Sequence, residues 1–288
     1  MIAVHENAGL FREALRITQT ETGFVARLIE KDYFCSLLLE FLAAAEGLVF
    51  KGGTCLAKVY ADFYRLSEDL DFVIPTPEEA SRSERSRWTV GLKAAIPTLP
   101  RQWPVFRLLQ PLTGFNNSTQ YIAVVGYTSF LGEQEETIKI EVGLREPLLT
   151  PAREGTARTL LLDPVSGKPL VKPVPVRCVS QEEAFSEKFR AALSRREADI
   201  RDFYDIDHAV RRLDLHPGKP EFVGWVRRKL AVPGNAPVDV SPARLAALRP
   251  QLESQLKAVL RARDFAEFDL DRAFATVAEV AAALDRTP

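Results

Sequence analysis

Two glycines between a short apolar run and a helical segment constrain the first half of this chain more than any other feature. Leu48-Val49-Phe50 is too short for a helix and predicts a buried strand, which Gly52-Gly53 ends. Thr54 is a typical helix N-cap residue, and apolar residues at helical spacing follow it to about residue 64. Leu70–Ile74 predicts a second strand. We therefore expect a strand–helix–strand unit here.

The segments around this unit predict an α+β fold. Residues 7–46 read as two helices and residues 77–96 as a charged surface helix. Further strands are expected over Val105–Gln110, Tyr121–Phe130 and Thr137–Leu144. The last of these alternates, with Ile138, Ile140 and Val142 on one side and Lys139, Glu141 and Gly143 on the other.

From residue 181 onward the pattern is helical. Six prolines from residue 147 to residue 175, counting both ends, indicate a long connection leading to that region. The predicted architecture is a mixed sheet with flanking helices, followed by a helical C-terminal half. We expect a domain over residues 1–165 and a helical domain over 166–288 that completes the active-site cleft.

Composition limits the function classes. Apolar residues make up 46% of the 288 residues, which is enough for a sizeable core, and the net charge of −1 gives no global attraction to nucleic acid or membranes. Three cysteines at wide spacing do not suggest a disulfide framework or a zinc site. No apolar segment is long enough to predict a secretory signal or a membrane span, so we expect a cytoplasmic enzyme without a membrane partner.

Asp69 and Asp71 are the first candidate chemical groups. Two residues apart on a strand, they leave the same face with Cα atoms roughly 6.5 Å apart. Two such carboxylates repel each other unless a cation lies between them. Hard oxygen ligands suit Mg²⁺, which completes its shell with water and substrate phosphates. The alternative is a solvated strand edge.

Gly52, Gly53 and Thr54 are candidate nucleotide-binding residues. Without side chains, the glycine backbone can approach phosphate oxygens closely, and the helix N-terminus adds favourable partial charge. The alternative is a tight turn that needs glycine only for its dihedral angles. A phosphate cradle followed by a helix and paired carboxylates is a stronger signal than any one of these parts.

Ser67, two residues before Asp69, shares its strand face. Its hydroxyl is a candidate for ligand binding or for phosphorylation, and a hydrogen bond at the start of the strand is the alternative.

Lys188 and Arg195 share one helix face, and Asp202 and Asp205 share another. Lys188 would offset the charge of a triphosphate. The two aspartates could orient Lys188 or Arg195, act as a base, or form a buried ion pair between helices.

These motifs together resemble the DNA-polymerase-β-like nucleotidyltransferases, and more narrowly the AbiEii/AbiGii toxin family with its MenT-like members. The first motif corresponds to Phe50-Lys51-Gly52-Gly53-Thr54 followed by Arg65-Leu66-Ser67-Glu68-Asp69-Leu70-Asp71-Phe72. Three later segments also match: Lys139-Ile140-Glu141, Glu187 to Arg195, and Arg201 to Asp205. The close relatives often have a third aspartate where this chain has Glu141.

The resemblance implies an enzyme that transfers a nucleoside monophosphate from a nucleoside triphosphate (NTP) and releases pyrophosphate. It implies one or two Mg²⁺ ions held by Asp69, Asp71 and Glu141, and triphosphate contacts from the glycine turn, Lys188 and Arg195. A toxin of a toxin–antitoxin system is implied, with a cognate AbiEi-like or similar antitoxin and an RNA acceptor, the 3′ end of tRNA.

Basic residues offer a possible RNA-facing surface: Arg82, Arg85, Arg87, Arg227, Arg228 and Lys229. Two other functions remain open: nucleotidylation of a protein, and an inactive nucleotide-binding module.

Overall fold

A computed structural model describes residues 3–286 of the chain. Its backbone contacts divide the chain after Val179 into two compact units. The first unit contains all seven strands of the described residues, whereas the second is built from helices. The division falls later than residue 165, because a strand over Val174–Cys178 pairs with the sheet of the first unit.

The first unit is organised around a mixed sheet with strand order β3-β4-β5-β2-β1-β7-β6. Central strand β2 runs parallel to β5 and antiparallel to β1, and β1 runs parallel to β7. The predicted α+β class with a mixed sheet is therefore confirmed. The strands are β1 (Val49–Lys51), β2 (Leu70–Val73), β3 (Phe106–Phe115), β4 (Gln120–Thr128), β5 (Glu135–Gly143), β6 (Arg153–Ala157) and β7 (Val174–Cys178).

Six α-helices flank this sheet: α1 (Ala8–Thr22), α2 (Ala26–Ala43), α3 (Gly52–Cys55), α4 (Arg82–Trp88), α5 (Val90–Ala95) and α6 (Leu99–Gln102). The two helices predicted over residues 7–46 are confirmed. The helix predicted after Thr54 begins at Gly52, continues as a π-helical turn over Leu56–Tyr60 and then ends, because Asp62 has a positive φ. The single helix predicted over 77–96 is wrong, since α4 begins only after the Ser81 cap and α5 is separate.

Helix α2 forms the centre of the core. It is buried nearly all round, as expected of a helix that packs on several sides, and its buried residues include charged ones such as Lys31 and Asp32. Phe34 packs against Tyr127 of β4 with ring centroids 4.2 Å apart, and Tyr33 packs against Phe11 of α1 at 4.8 Å. Strand β5 has the predicted alternation, with Ile138, Ile140 and Val142 all buried.

A buried ion pair joins the π-helical turn to α2. The Lys58 ammonium lies 2.6 Å from Asp32 Oδ1 and donates to Ser36 Oγ at 2.9 Å. Asp32 Oδ2 accepts from the Thr159 hydroxyl at 3.1 Å and from the Leu160 amide at 3.0 Å. Both charges have several partners, which is the condition under which a buried pair is tolerated. The pair therefore fixes the turn, α2 and residues 159–160 to one another.

The interpretation of residues 147–175 as a long connection is wrong in part. Strands β6 and β7 form an antiparallel pair, and β7 extends the sheet beside β1 through Phe50 and Cys178. Val174, Val176 and Cys178 are buried while Pro175 and Arg177 are exposed, which is the alternation of a strand. The sequence did not predict this strand, because proline cannot donate a backbone hydrogen bond and therefore counts against a central strand.

The second unit confirms the predicted helical half. Ser180 caps α7 through the Glu183 amide, and Asp199 caps α8. Arg244 of α10 donates to the carbonyls of Ala192 and Arg195 at the end of α7. The helices are α7 (Gln181–Ser194), α8 (Ile200–Arg212), α9 (Pro220–Ala231), α10 (Pro242–Leu248), α11 (Ala262–Glu267) and α12 (Leu270–Arg286).

None of the helices within residues 3–286 is both long and apolar enough to cross a membrane.

Candidate active site

The glycine turn lies where β1 ends and α3 begins. Gly52 has a φ of +77°, a conformation that residues with a Cβ rarely adopt. A Cβ at this position would also lie 2.8 Å from the Cβ of Asp71 and collide with its carboxylate. At Gly53 an added Cβ would lie 2.6 Å from Arg65 Nη2 and 3.2 Å from Ser67 Oγ. Both glycines therefore permit a close approach between the turn and the residues around β2.

Thr54 connects this turn to the carboxylate strand. Its buried hydroxyl donates to the backbone carbonyl of Asp69. The bond holds the start of α3 against the start of β2, so Thr54 positions the two halves of the motif relative to each other.

A row of charged residues crosses the sheet beside the turn. Lys51 of β1 lies opposite Asp71 of β2, and Asp71 lies beside Glu141 of β5. Asp69 immediately precedes β2 on the same face as Asp71. The structure thus brings Glu141 close to Asp69 and Asp71, although Glu141 lies about 70 residues after them in the chain.

The surroundings of Asp71 perturb its acidity. Burial raises its pKa to about 6, and the neighbouring Glu141 adds to the effect. Asp69 and Glu141 keep side-chain exposures of 42% and 29%. The row therefore combines a desolvated carboxylate with two that a ligand can reach.

Glu141 is held by two donors. Its Oε1 accepts from the Gln120 amide at 2.8 Å, and its Oε2 accepts from the Lys139 ammonium at 3.2 Å. The same ammonium lies 3.8 Å from Asp69 Oδ2, and the Lys139 backbone N–H donates to Asp69 Oδ1 at 3.3 Å. Lys139 and Gln120 were not among the predicted site residues. The alternation of β5 already placed Lys139 on the same face as Glu141, whereas no pattern in the sequence around Gln120 indicated a role for that residue.

Ser67 and Glu68 lie on opposite sides of the motif. Ser67 is half-buried beside Gly53. The Glu68 carboxylate instead turns to α2, where Lys31 lies at 2.8 Å and Arg27 at 3.0 Å. Of the acidic residues in this stretch, only Asp69 and Asp71 belong to the charged row.

In the second unit, Lys188 contacts both aspartates of α8. Its ammonium lies 2.9 Å from Asp202 Oδ1 and 2.8 Å from Asp205 Oδ2. Both aspartates are buried, while Lys188 retains 14% side-chain exposure. Arg195, which is 47% exposed, lies 3.2 Å from Asp202 Oδ2. These contacts fit two of the interpretations left open by the sequence: orientation of Lys188 and Arg195 by the aspartates, and a buried ion pair between helices.

Two of the six proposed RNA-facing cations are buried and do not belong to an exposed patch. Lys229 is 1% exposed and contacts Glu183 at 2.8 Å and Glu187 at 3.2 Å. Arg85 is also buried. Arg227 is half-buried and donates to the Leu284 carbonyl. Three are exposed: Arg82, Arg87 and Arg228.

Comparison with solved structures finds proteins with a similar fold. MenT4, a nucleotidyltransferase toxin from Mycobacterium tuberculosis, is 20% identical, with a TM-score of 0.59 over 91% of this chain and 84% of the other. JHP933 from Helicobacter pylori is 16% identical, with a TM-score of 0.53 over 91% of this chain and 94% of the other. At such identities the likeness concerns the fold. No curated protein matches the sequence.

The sequence itself matches the family described as "Nucleotidyl transferase AbiEii toxin, Type IV TA system" over residues 36–282. This match covers most of the chain, includes every residue of the charged row, and confirms the resemblance inferred from the motifs. The chain belongs to the AbiEii family of nucleotidyltransferase toxins from type IV toxin–antitoxin systems.

Proposed function

We propose that this toxin transfers a nucleoside monophosphate from an NTP to the 3′ end of tRNA and thereby blocks translation. The observation that carries the proposal is the row of Asp69, Asp71 and Glu141 directly beside the Gly52–Thr54 turn. It places carboxylates next to a backbone cradle suited to phosphate. A toxin of this family implies a cognate antitoxin, and we propose one of the AbiEi-like kind.

In this proposal the triphosphate lies on Gly52, Gly53 and Thr54, with the Ser67 hydroxyl beside it. From the resemblance to the family's third motif, we also propose that Lys188 and Arg195 offset its negative charge. Support for Lys188 comes from its two buried aspartates, because an ammonium held at 2.9 and 2.8 Å is ordered before any ligand arrives. Asp202 and Asp205 then act as positioning residues.

The row fits a divalent cation, and the support is the Asp71 carboxylate, which is desolvated beside Glu141. No three His, Cys, Asp or Glu side chains within residues 3–286 converge into a complete metal cluster. In this proposal Asp69 and Asp71 would hold one or two Mg²⁺ ions, with Glu141 as the third carboxylate, and water and phosphate oxygens would supply the ligands that the protein does not. The bound metal would neutralise charge on the phosphoryl group and on the departing pyrophosphate.

The acceptor hydroxyl oxygen forms a bond to the α-phosphorus while the bond to the pyrophosphate oxygen breaks. The hydroxyl proton must pass to a base during this step. Glu141, with a partly exposed side chain, is the proposed acceptor of that proton.

Labelling with α-³²P-NTPs tests the proposal. The wild type should label the 3′ end of purified tRNA, and Asp69→Asn should not. Asp62→Asn is a matched control, because that aspartate is 82% exposed and outside the row. A labelled protein band in lysate without labelled RNA would favour protein nucleotidylation. NTP binding without any transfer would favour an inactive module.

A further inference from the structure

The turn between β3 and β4 contains three consecutive residues with a left-handed backbone. Asn116, Asn117 and Ser118 have φ angles of +49°, +55° and +63°. Residues with a Cβ adopt this region uncommonly, although asparagine does so more often than most. Such backbone persists where surrounding contacts fix it, and it concentrates at functional sites. The turn is therefore a candidate for a function of its own.

Two hydrogen bonds connect this turn to the charged row. The Asn116 side-chain amide donates to Gln120 Oε1 at 3.1 Å, and the Gln120 amide donates to Glu141 Oε1 at 2.8 Å. Asn116 and Asn117 are both exposed. Since Glu141 is the proposed acceptor of the hydroxyl proton, an acceptor molecule must come close to this turn.

Helix α4 is fixed against the same turn. The two segments pack together, and the buried Tyr121 of β4 lies between them. Burial raises the pKa of the Tyr121 phenol, but hydrogen bonding by Ser118 of the turn and by Ser86 and Thr89 at the end of α4 lowers it below its usual value. The Lys93 ammonium lies 4.6 Å from the centroid of the Tyr121 ring. These contacts hold α4 in a defined position beside the turn.

Both segments present aromatic and cationic side chains to solvent. Trp88, the last residue of α4, is 40% exposed, and Phe115, which precedes the turn, is 42% exposed. Arg82 and Arg87 of α4 are also exposed, and the only acid in this helix is Glu84, which caps it. Aromatic faces stack on the bases of single strands, and arginines bind phosphates. This combination fits single-stranded RNA better than an apolar protein surface.

We propose that the exposed side chains of α4 and of the adjoining turn bind the single-stranded acceptor end of RNA. This α4 surface consists of Arg82, Arg87, Trp88, Phe115 and Asn116. The aromatic rings stack on bases and the arginines contact phosphates, so the terminal hydroxyl is held near Glu141. The inference rests on the proposed transfer to RNA and specifies where the acceptor binds on the first unit.

Filter binding of a short single-stranded RNA that ends in CCA, without NTP, tests the inference. Trp88→Ala and Phe115→Ala should each lose about fivefold or more in affinity, because each removes one base stack. Trp88→Phe keeps an aromatic face and should retain most of the affinity, whereas Trp88→Leu keeps only apolar bulk and should lose as much as Trp88→Ala. Leu131→Ala is the matched control, because Leu131 is 43% exposed and follows the opposite end of β4.

Tryptophan fluorescence gives a second measurement that does not depend on how Trp88→Ala folds. The chain has three tryptophans, and Trp103 is buried. In a Trp225→Phe background, quenching by the same RNA therefore reports on Trp88. Quenching should be present in that background and absent when Trp88→Phe is added.

Wild-type RNA affinity in both Trp88→Ala and Phe115→Ala, or RNA binding without quenching, would overturn the inference. Full affinity in Trp88→Leu would also overturn it and would mark the α4 surface as a docking site for a protein. The labelling of tRNA by wild type separates this inference from the proposed function. Labelled tRNA together with unaltered binding by the variants means that only the α4 surface is wrong, whereas no labelled RNA means that the proposed function is wrong.

Discussion

Replacing Gly52 by alanine should separate backbone strain from damage to the site, because the chain provides a matched glycine. Gly52 and Gly47 both have a φ of +77°. A Cβ at Gly47 would meet nothing within 4 Å, whereas a Cβ at Gly52 would lie 2.8 Å from the Cβ and 2.9 Å from the Cγ of Asp71. The two substitutions therefore impose the same backbone conformation on alanine but differ in their effect on the carboxylate.

The magnitudes follow from this difference. Left-handed backbone costs a residue with a Cβ about 1–2 kcal/mol, so Gly47→Ala should lower the free energy of unfolding by that amount. For a unit of this size the midpoint of thermal unfolding should fall by roughly 2–4 °C per kcal/mol. Gly52→Ala should bear the same cost and must also displace Asp71. A displacement near 1 Å at reacting groups costs about 100-fold in rate.

Thermal unfolding and nucleotide transfer, measured on both variants, check this prediction. Gly47→Ala should transfer at nearly the wild-type rate, and Gly52→Ala should be at least 100-fold slower. Asp71→Ala removes two of the three atoms close to the added Cβ, so Gly52→Ala should destabilise the protein less in that background. Equal transfer rates in Gly47→Ala and Gly52→Ala would refute the argument.

Three further predictions concern charges. Lys188→Met leaves two buried aspartates without their shared cation, so it should lower the free energy of unfolding by about 3–5 kcal/mol. It should also weaken NTP binding, measured by calorimetry, by about 1.5–3 kcal/mol. An unchanged affinity for NTP would remove Lys188 from the nucleotide site. The pKa of Asp71 is raised to about 6, so its protonated form stabilises the fold and this stability is lost as pH rises from about 4 to 6. Asp71→Asn should therefore be more stable than wild type at pH 7 without metal, by about 1–3 kcal/mol, and chemical denaturation at pH 4 and 7 should show no such gain at pH 4. Arg228→Ala should reduce the slope of log binding constant against log salt concentration for RNA by about 0.7. Lys229→Met, which removes a buried cation, should instead change the free energy of unfolding. An unaltered slope for Arg228→Ala in filter binding would exclude Arg228 as an RNA contact.

Local patterns were sufficient to predict some of the site. The spacing of Asp69 and Asp71 placed both on one face, and the alternation around Ile140 indicated which face of β5 is buried. The family motif added Glu141. These inferences depend on neighbours within a few residues, where strand geometry fixes the outcome.

The remaining features depend on contacts between distant segments. Gln120 is recognisable as a partner of Glu141 only after β4 pairs with β5. Lys229 lies in a basic run and is nevertheless buried, because Glu183 and Glu187 approach it from another helix. The alternation of β7 was present in the sequence, but Pro175 argued against a strand. Tertiary pairing decided each case.

The buried Lys58–Asp32 pair would couple the proposed nucleotide binding at the Gly52 turn to the stability of α2. The pair connects the helical turn that follows Gly52 to the centre of α2. A ligand that holds the turn therefore raises the free energy needed to open α2 locally, by linkage. Amide hydrogens of α2 around Ser36 should exchange more slowly when nucleotide is bound, although they do not touch it. Conversely, a substitution that lowers the local stability of α2 would lower the affinity of the turn for the proposed nucleotide.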